Sequence, residues 1–312
     1  MQTTVSSPVR FEGIGLHSGA PVTMIVRPAA PHHGIWFKRT DIAVGDTLIP
    51  AVWSHVVPSQ LCTRIENAAG VAVSTIEHIM AALAGCGVQN ALVDIDGPEV
   101  PILDGSSRQF VEGLLAQGLR EQDVPVFAIE VLQSVEVRDG AAFARLEPGL
   151  ALEIDFAIDF ADAAIGRQRK TLNMANGAFV RELSDSRTFC REQDVEDMRA
   201  RGLALGGTFE NAVVVNGADI LSPGGLRHKD EAVRHKMLDA LGDLSLAGAP
   251  LLGRYTGIRA GHAMTNKLLH ALFADPANFR MVDCGDERAA LLPGAGVTRD
   301  DLKASRIREM AA

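Results

Sequence analysis

The pattern of hydrophobic and polar residues predicts strands and helices in one order that occurs twice along the chain. A strand-like, turn-rich region up to about residue 56 precedes VSTIEHIMAALAGCG, whose apolar spacing predicts a helix ended by Gly85 and Gly87. A strand, QNALVDID, a loop, GPEVPILDGSS, and a helix, RQFVEGLLAQGL, follow. The first half is therefore expected to contain strands, a helix, a strand and a helix.

The second series starts near residue 126 and repeats this order without repeating the residues. VFAIEVLQSVEVRDG and AFARLEPGLALEIDFAIDF predict strands, and NGAFVRELSDSRTF and EQDVEDMRARGL predict helices. The helix DEAVRHKMLDALGDLSLAG, the strand PLLGRYTGIRAG and the helix AMTNKLLHALFA complete the series, and the tail after Asp283 is less regular. We therefore predict two domains, residues 1–124 and 125–312, with the boundary inside EQDVPV.

One predicted helix, VRHKMLDALGD at residues 233–243, has a polar stripe. His235, Asp239 and Asp243 stand four residues apart and so lie close to one face, with Lys236 beside them. Such a stripe can be a surface pair that contributes about 0.2–0.5 kcal/mol. It is also an arrangement in which an imidazole and a carboxylate bind one Zn²⁺ ion, which needs a third protein ligand from elsewhere.

Glu77 and His78 stand together at the start of the first predicted helix, in STIEHIM. Glu77 follows Ser74 by three residues, the capping-box spacing in which the glutamate bonds to the backbone N–H of the serine. A glutamate beside a metal-binding histidine can instead act as general base on water. Both interpretations of Glu77 stay open at this point.

His262 lies at the start of the last predicted helix, in RAGHAMTNKLLHAL. It is either an ordinary polar residue of the first turn or part of a site, and Gly261 would let the backbone there approach another element closely. His17 and Ser18 lie in a Gly-rich turn that lacks the G-x-x-x-x-G-K-[ST] pattern, so we do not predict a phosphate loop.

The composition is that of an ordinary globular protein, with 312 residues, 47% of them hydrophobic and 22% charged. A net charge of −9 without a basic run argues against a general nucleic-acid binder. The four cysteines form no C-x-x-C pair, which is typical of a reducing compartment. Because the sequence shows no apolar signal segment and no run of about 18 apolar residues, we expect a cytoplasmic protein without a membrane span. Contact with a membrane surface stays open.

Seven segments are informative together: GIGLHSG (13–19), LCTRI (61–65), STIEHIMAALAGCGVQNALVDIDGPEVPILDGSS (74–107), SRTF (186–189), RGLALGG (201–207), VRHKMLDALGDL (233–244) and GHAMTNKLL (261–269). In this order and spacing they resemble the UDP-3-O-acyl-N-acetylglucosamine deacetylases, zinc enzymes of lipid A biosynthesis in Gram-negative bacteria. The resemblance covers nearly the whole chain. It implies two α+β domains of similar topology, like the second domain of ribosomal protein S5, each with a small insert. It also implies a zinc site between the domains.

The resemblance implies roles for individual residues of this sequence. Glu77 would activate water as the general base, and Thr188 would hydrogen-bond the oxyanion. His262 would stabilise developing charge and protonate the leaving amine, with Asp243 orienting it. Three residues would bind zinc and leave a fourth position for water, although Fe²⁺ also suits such ligands: His78, His235 and Asp239.

The resemblance also implies contacts with the substrate, by five residues: Lys236, Phe189, Asp194, Arg259 and Cys62. An apolar passage for the acyl chain would be drawn from residues 189–205. The chain departs from the family pattern where Cys190 and Arg191 replace a glycine and an apolar or aromatic residue. Position 259 is arginine where lysine is also seen, and a guanidinium can bind phosphate in a bidentate manner. These departures leave the nucleotide and acyl contacts open.

We therefore expect a monomeric, metal-dependent amidohydrolase that removes acetate from UDP-3-O-[(3R)-3-hydroxyacyl]-N-acetylglucosamine. Its partner would be this small acylated nucleotide sugar and not a nucleic acid. Two alternatives stay open. One is a deacetylase of the same fold that acts on another N-acetylated nucleotide sugar, and the other is a catalytically inactive sensor that binds the lipid nucleotide.

Overall fold

The computed structural model describes residues 1–302; the last ten residues of the tail and of the predicted second domain lie outside the described residues. The first part contains, in order, β1 (Thr3–Val5), β2 (Val9–Ile14), β3 (Pro21–Pro28), β4 (Ile35–Arg39), β5 (Leu48–Pro50), β6 (Val56–Val57), β7 (Arg64–Glu66), β8 (Ala72–Ser74), α1 (Glu77–Gly85), β9 (Ala91–Ile95), α2 (Arg108–Gln117) and β10 (Leu119–Glu121). The second part contains β11 (Val126–Val131), β12 (Val135–Asp139), β13 (Ala142–Pro148), β14 (Leu152–Asp159), β15 (Arg167–Asn173), α3 (Ala178–Glu182), β16 (Phe189–Arg191), α4 (Glu192–Ala200), β17 (Val213–Asn216), β18 (Asp219–Ile220), α5 (Glu231–Ser245), β19 (Leu251–Ile258), α6 (His262–Phe273), β20 (Phe279–Cys284) and α7 (Asp286–Ala289). Two 3₁₀ turns, Trp53–His55 and Pro276–Asn278, lie between these elements.

The first large sheet has five strands in the order β2-β3-β9-β4-β5, which are antiparallel except for the parallel pair β4 and β9. Burial alternates along β3, where Met24 and Val26 point into the core. Helix α2 packs against β2, and the rings of Phe11 and Phe110 meet edge to face with centroids 5.1 Å apart. This alternation is typical of a sheet with one face toward the core.

The second large sheet has seven strands and is organised around β19. Strand β19 pairs antiparallel with β13 and parallel with both β14 and β11, while β12, β15 and β20 extend the sheet. Tyr255 of β19 is fully buried, and its hydroxyl hydrogen-bonds to the Thr265 hydroxyl of α6 at 3.1 Å. Helix α5 packs against β14 and β15, and α6 packs against β12 and β13. This sheet therefore supports two helices that reach the site described below.

Two small sheets interrupt the large ones. Strands β6, β7 and β8 form an antiparallel sheet just before α1. Strands β16, β17 and β18 form a mixed sheet before α5, in which β16 and β17 are parallel and β17 and β18 are antiparallel. Helix α4 packs against β16 and β17. Strands β1 and β10 pair with each other, so the chain returns to its amino-terminal strand before the second large sheet begins.

Helices α1 and α5 cross in close contact and join the two parts into one continuous hydrophobic core. A Cβ atom on Gly242 would lie 2.1 Å from the carbonyl oxygen of Glu77, so this approach requires glycine. Eight of the nine residues of α1 and twelve of the fifteen residues of α5 are buried. Polar side chains on these helices are therefore enclosed by protein and need partners.

The structure confirms the mixed helix-and-sheet class and the predicted helices α1, α2, α4, α5 and α6. The helix predicted over NGAFVRELSDSRTF is wrong in its second half, because only Ala178–Glu182 is helical. The chain then turns, since both the backbone N–H and the guanidinium of buried Arg187 donate to the carboxylate of Glu231. No helix in the described chain is long and apolar enough to cross a bilayer.

Gly242→Ala is expected to lower the free energy of unfolding by about 1–3 kcal/mol, because the new methyl group overlaps the carbonyl oxygen of Glu77. Chemical denaturation measures this quantity. Gly285→Ala is the matched control, since Gly285 has a φ of −60° and a Cβ there meets no described atom within 4 Å. Equal stability of the two variants would contradict the steric role of Gly242.

Candidate active site

Three side chains from α1 and α5 converge on one buried point. His78 comes from α1, His235 and Asp239 come from successive turns of α5, and their potential ligand atoms lie within 4.8 Å of one another. The Nε2 atoms of His78 and His235 lie 3.6 and 3.3 Å from Oδ1 of Asp239. All three residues are at most 4% exposed, so the stripe on α5 is not a surface pair.

A hydrogen bond from behind orients His235. Its Nδ1 lies 3.1 Å from the carbonyl oxygen of Ser186, which can only accept, so Nδ1 carries the proton and Nε2 offers its lone pair to the cluster. Burial lowers the pKa of His235 to about 3, which keeps the ring neutral. A neutral imidazole with an unprotonated Nε2 is the form in which histidine binds a metal.

Asp239 supplies a carboxylate oxygen that the surrounding protein leaves unpaired. Its Oδ2 accepts a hydrogen bond from Nζ of Lys236 at 2.7 Å, whereas its buried Oδ1 has no hydrogen-bond partner among residues 1–302. Burial opposes ionisation, but neighbouring cationic groups, Lys236 among them, hold the pKa of Asp239 well below its usual value. An ionised, unpaired oxygen facing two imidazole nitrogens fits a divalent cation, and two histidines with one carboxylate are a ligand set that suits Zn²⁺.

Glu77 does not form the capping box, so that interpretation is wrong. Ile76 is the N-cap residue of α1, and the hydroxyl of Ser74 donates to the carbonyl oxygen of Pro98 at 3.1 Å. The Oε2 atom of Glu77 instead accepts from the backbone N–H of Thr63 at 2.9 Å. Burial raises the pKa of Glu77, so the carboxylate is more basic than that of an exposed glutamate.

His262, the first residue of α6, lies beside the cluster and pairs with Asp243. Its Nδ1 is 2.8 Å from Oδ2 of Asp243, and its Nε2 is 3.9 Å from Oε1 of Glu77. Burial favours the neutral ring, but the carboxylate of Asp243 raises the pKa of His262 to about 9, so the imidazolium predominates at neutral pH. The close approach expected at Gly261 is wrong, because a Cβ there would meet no atom of the described chain within 4 Å.

The structure adds Thr63, a residue of the segment LCTRI to which the sequence analysis assigned no role. Thr63 donates its backbone N–H to Glu77 at 2.9 Å and its hydroxyl to Asp243 at 2.5 Å. It directly precedes β7 and belongs to neither of the helices that carry the two carboxylates. Its place in LCTRI was the available sequence signal, but its contacts join distant segments, and local spacing does not reveal them.

A cleft of about 1220 Å³ opens onto the cluster and is large enough for a nucleotide sugar. His78, His235, Asp239, Glu77 and His262 line it. The residues expected to contact the substrate also line it: Thr188, Phe189, Asp194, Lys236, Arg259 and Cys62. The fold thus brings residues from separate sequence segments to one cavity.

Two arginines of this cleft already have partners inside the protein. Arg259 has a left-handed φ of 49° and donates to Oδ2 of Asp159 at 2.6 Å. Arg191 lies 2.7 Å from a carboxylate oxygen of Asp162. Burial raises the pKa of the neighbouring Cys190 thiol to about 11, so that thiol lines the cleft as a neutral group.

Comparison with known proteins gives one consistent result. The chain matches the family model LpxC, UDP-3-O-acyl N-acetylglycosamine deacetylase, over residues 2–274. A relative from Phenylobacterium zucineum is 51% identical over 280 residues, which is 90% of this chain and 96% of the relative. Relatives from Myxococcus xanthus and Shewanella frigidimarina are 45% and 41% identical, and they match over 90% and 94% of this chain and 89% and 98% of their own lengths. All three relatives are named UDP-3-O-acyl-N-acetylglucosamine deacetylase.

His235→Ala is expected to remove most of any bound metal, because the three candidate ligands fall to two. Elemental analysis after dialysis measures the metal content. His270→Ala is the matched control, since His270 is exposed on α6 and meets the ring of Trp53 edge to face. Full metal content in His235→Ala would show that the ion is bound elsewhere.

Proposed function

The chain belongs to the family of UDP-3-O-acyl-N-acetylglucosamine deacetylases, and on that basis we propose that it hydrolyses the acetamide of UDP-3-O-[(3R)-3-hydroxyacyl]-N-acetylglucosamine in lipid A biosynthesis. The products are acetate and the free amine. One observation carries the proposal: the buried cluster of His78, His235 and Asp239 has Glu77 and His262 beside it. An electrophilic metal, a base and an acid together accelerate the hydrolysis of an amide.

His78, His235 and Asp239 would hold the metal, which we propose is Zn²⁺, although Fe²⁺ suits the same ligands. When bound, such an ion polarises a carbonyl group and lowers the pKa of water. The carbonyl oxygen of Ser186 and the ammonium of Lys236 would keep two of the ligands oriented.

Glu77 would take a proton from the attacking water. Thr63 holds Oε2 of Glu77, and Oε1 is the oxygen that faces His262. The raised pKa, caused by burial, makes this carboxylate a better proton acceptor than an exposed one. Glu77 therefore has the position and the basicity of a general base.

His262 would give its Nε2 proton to the departing nitrogen. Asp243 holds the Nδ1 proton and raises the pKa of the ring, so the imidazolium is available at neutral pH. Thr188, on the wall of the cleft, would donate its hydroxyl to the carbonyl oxygen as negative charge develops. The carbon–nitrogen bond then breaks, the oxygen of water stays on acetate, and the nitrogen leaves as the neutral amine that carries the proton from His262.

The same cleft supports a substrate with an anionic part. Lys236 and Arg259 would offer positive charge to the diphosphate, and in doing so Arg259 would exchange the carboxylate of Asp159 for phosphate. Asp194 and Cys62 would complete the contacts with the nucleotide sugar. The acidic chain would thus bind an anion through a local cationic region.

The acyl chain would occupy the part of the cleft between α4 and β17. Val195 and Met198 of α4 and Val214 of β17 line the cleft there, together with Cys190 and Phe189 of β16. These side chains offer an apolar wall, and each CH₂ group buried against it contributes about 0.8 kcal/mol. A long chain would therefore add much to transition-state binding.

We further propose how the molecule is organised. The two large sheets would mark two α+β domains of similar topology, residues 1–124 and 125–312, with the site between them. The position of the cluster supports this proposal, because His78 comes from the first part of the chain and His235 from the second. The small sheets would be the inserts, and the enzyme would act as a monomer in the cytoplasm.

Acetate release is expected from the acylated nucleotide sugar, with a loss of about fourfold in kcat/KM for each CH₂ removed from the acyl chain. The measurement is acetate release from substrates of graded chain length and from the unacylated form. Equal kcat/KM for the acylated and unacylated forms would favour a deacetylase of another nucleotide sugar. Binding without acetate release would favour a sensor.

Glu77→Gln is expected to lower kcat by about 10²–10⁴, because the amide still accepts from Thr63 but takes no proton from water. The bound metal should remain, since Glu77 is not one of the three ligands. Near-wild-type kcat with metal retained would exclude Glu77 as the base.

A further inference from the structure

We infer that Thr63 is a positioning residue that fixes Glu77 and Asp243 relative to each other through one backbone and one side-chain hydrogen bond. This inference rests on the proposed function, in which Glu77 is the base and Asp243 orients the acid His262. Thr63 itself is absent from the described residues that line the cleft, so it acts through its two partners.

The geometry gives Thr63 one contact to each helix. Its backbone N–H donates to Oε2 of Glu77 at 2.9 Å, and its carbonyl oxygen accepts from the N–H of Ile76 at 3.3 Å, just before α1. Its hydroxyl donates to Oδ1 of Asp243 on α5 at 2.5 Å. Thr63 is 3% exposed, so water does not compete for these bonds.

The hydroxyl of Thr63 determines how the Asp243 carboxylate is turned. An ionised carboxylate only accepts, so the hydroxyl proton must point at Oδ1. The other oxygen, Oδ2, then faces Nδ1 of His262 at 2.8 Å. With the hydroxyl in place, both oxygens of a buried carboxylate are paired, and rotation about its carbon–carbon bond would break both contacts.

Thr63 can serve as a fixed point because a third element holds it. It directly precedes β7, whose first residue, Arg64, pairs with Ser74 of β8. Strand β8 in turn leads into α1. The small sheet of β6, β7 and β8 therefore carries the donor that links α1 to α5 behind the cleft.

Thr63→Val and Thr63→Ser separate the hydroxyl from the shape of the side chain. Thr63→Val keeps the volume and the backbone donor but removes the hydroxyl, and we expect kcat to fall about 10- to 100-fold with KM and metal content little changed. Thr63→Ser keeps the hydroxyl and is expected to restore most of kcat. Thr4→Val is the control for burying valine in place of a paired threonine, since Thr4 is buried and donates to the carbonyl oxygen of Asn90 at 2.7 Å.

A double-mutant cycle tests whether Thr63 acts through Asp243. In the Asp243→Ala background, Thr63→Val should cause little further loss of kcat, because the acceptor of its hydroxyl is gone. Losses that multiply would show a general structural role and overturn the inference. Wild-type kcat in Thr63→Val, or equal losses in Thr63→Val and Thr63→Ser, would overturn it as well.

Crystal structures of the two Thr63 variants provide a readout that does not depend on the substrate. In Thr63→Val the Asp243 carboxylate should rotate and its contact with Nδ1 of His262 should lengthen, while Thr63→Ser should keep both contacts. An unchanged Asp243 in Thr63→Val would overturn the positioning role. Absence of acetate release by the wild-type protein would instead overturn the proposed function, and the crystal structures would still decide the role of Thr63.

Discussion

The close crossing of α1 and α5 is the constraint on which the rest of the structure depends. The carbonyl oxygen of Glu77 occupies the space that a side chain at Gly242 would need, so the two helices approach as closely as their backbones permit. At this distance His78 on one helix reaches His235 and Asp239 on the other. Helix α5 packs on the second large sheet, and the hydrophobic core is continuous across the contact between α1 and α5. This packing fixes the separation of the two helices.

The close packing of α1 and α5 also encloses carboxylates and imidazoles that water would otherwise solvate. Three of them have a hydrogen-bond partner in the protein: the carbonyl oxygen of Ser186 holds His235, Lys236 holds Asp239, and the backbone of Thr63 holds Glu77. One polar atom of each group is left to face the others. The same hydrogen bonds that make burial tolerable therefore also aim these atoms at a common point.

The spacing of polar and apolar residues along the chain predicts the main helices and part of the candidate site. The features that the sequence does not predict depend on contacts between distant segments. The four-residue interval between His235 and Asp239 predicts that both lie on one face of α5, and apolar periodicity predicts α1 and α6, as the structure has them. Sequence could not show the turn at Arg187, because its backbone bonds to Glu231 on another helix. It could not show that Asp159 pairs with Arg259, because that pairing joins β14 to the end of β19. Such contacts have no local signature.

The order of the metal-ligand candidates along the chain bears on how the protein is synthesised. Helix α1 leaves the ribosome well before α5, yet in the finished protein eight of its nine residues are buried. Until α5 arrives, the nascent chain exposes part of that apolar surface, a state that is prone to aggregation. The cluster also lacks His235 and Asp239 during this interval, so all three candidate metal ligands are present only after both parts of the chain have been synthesised.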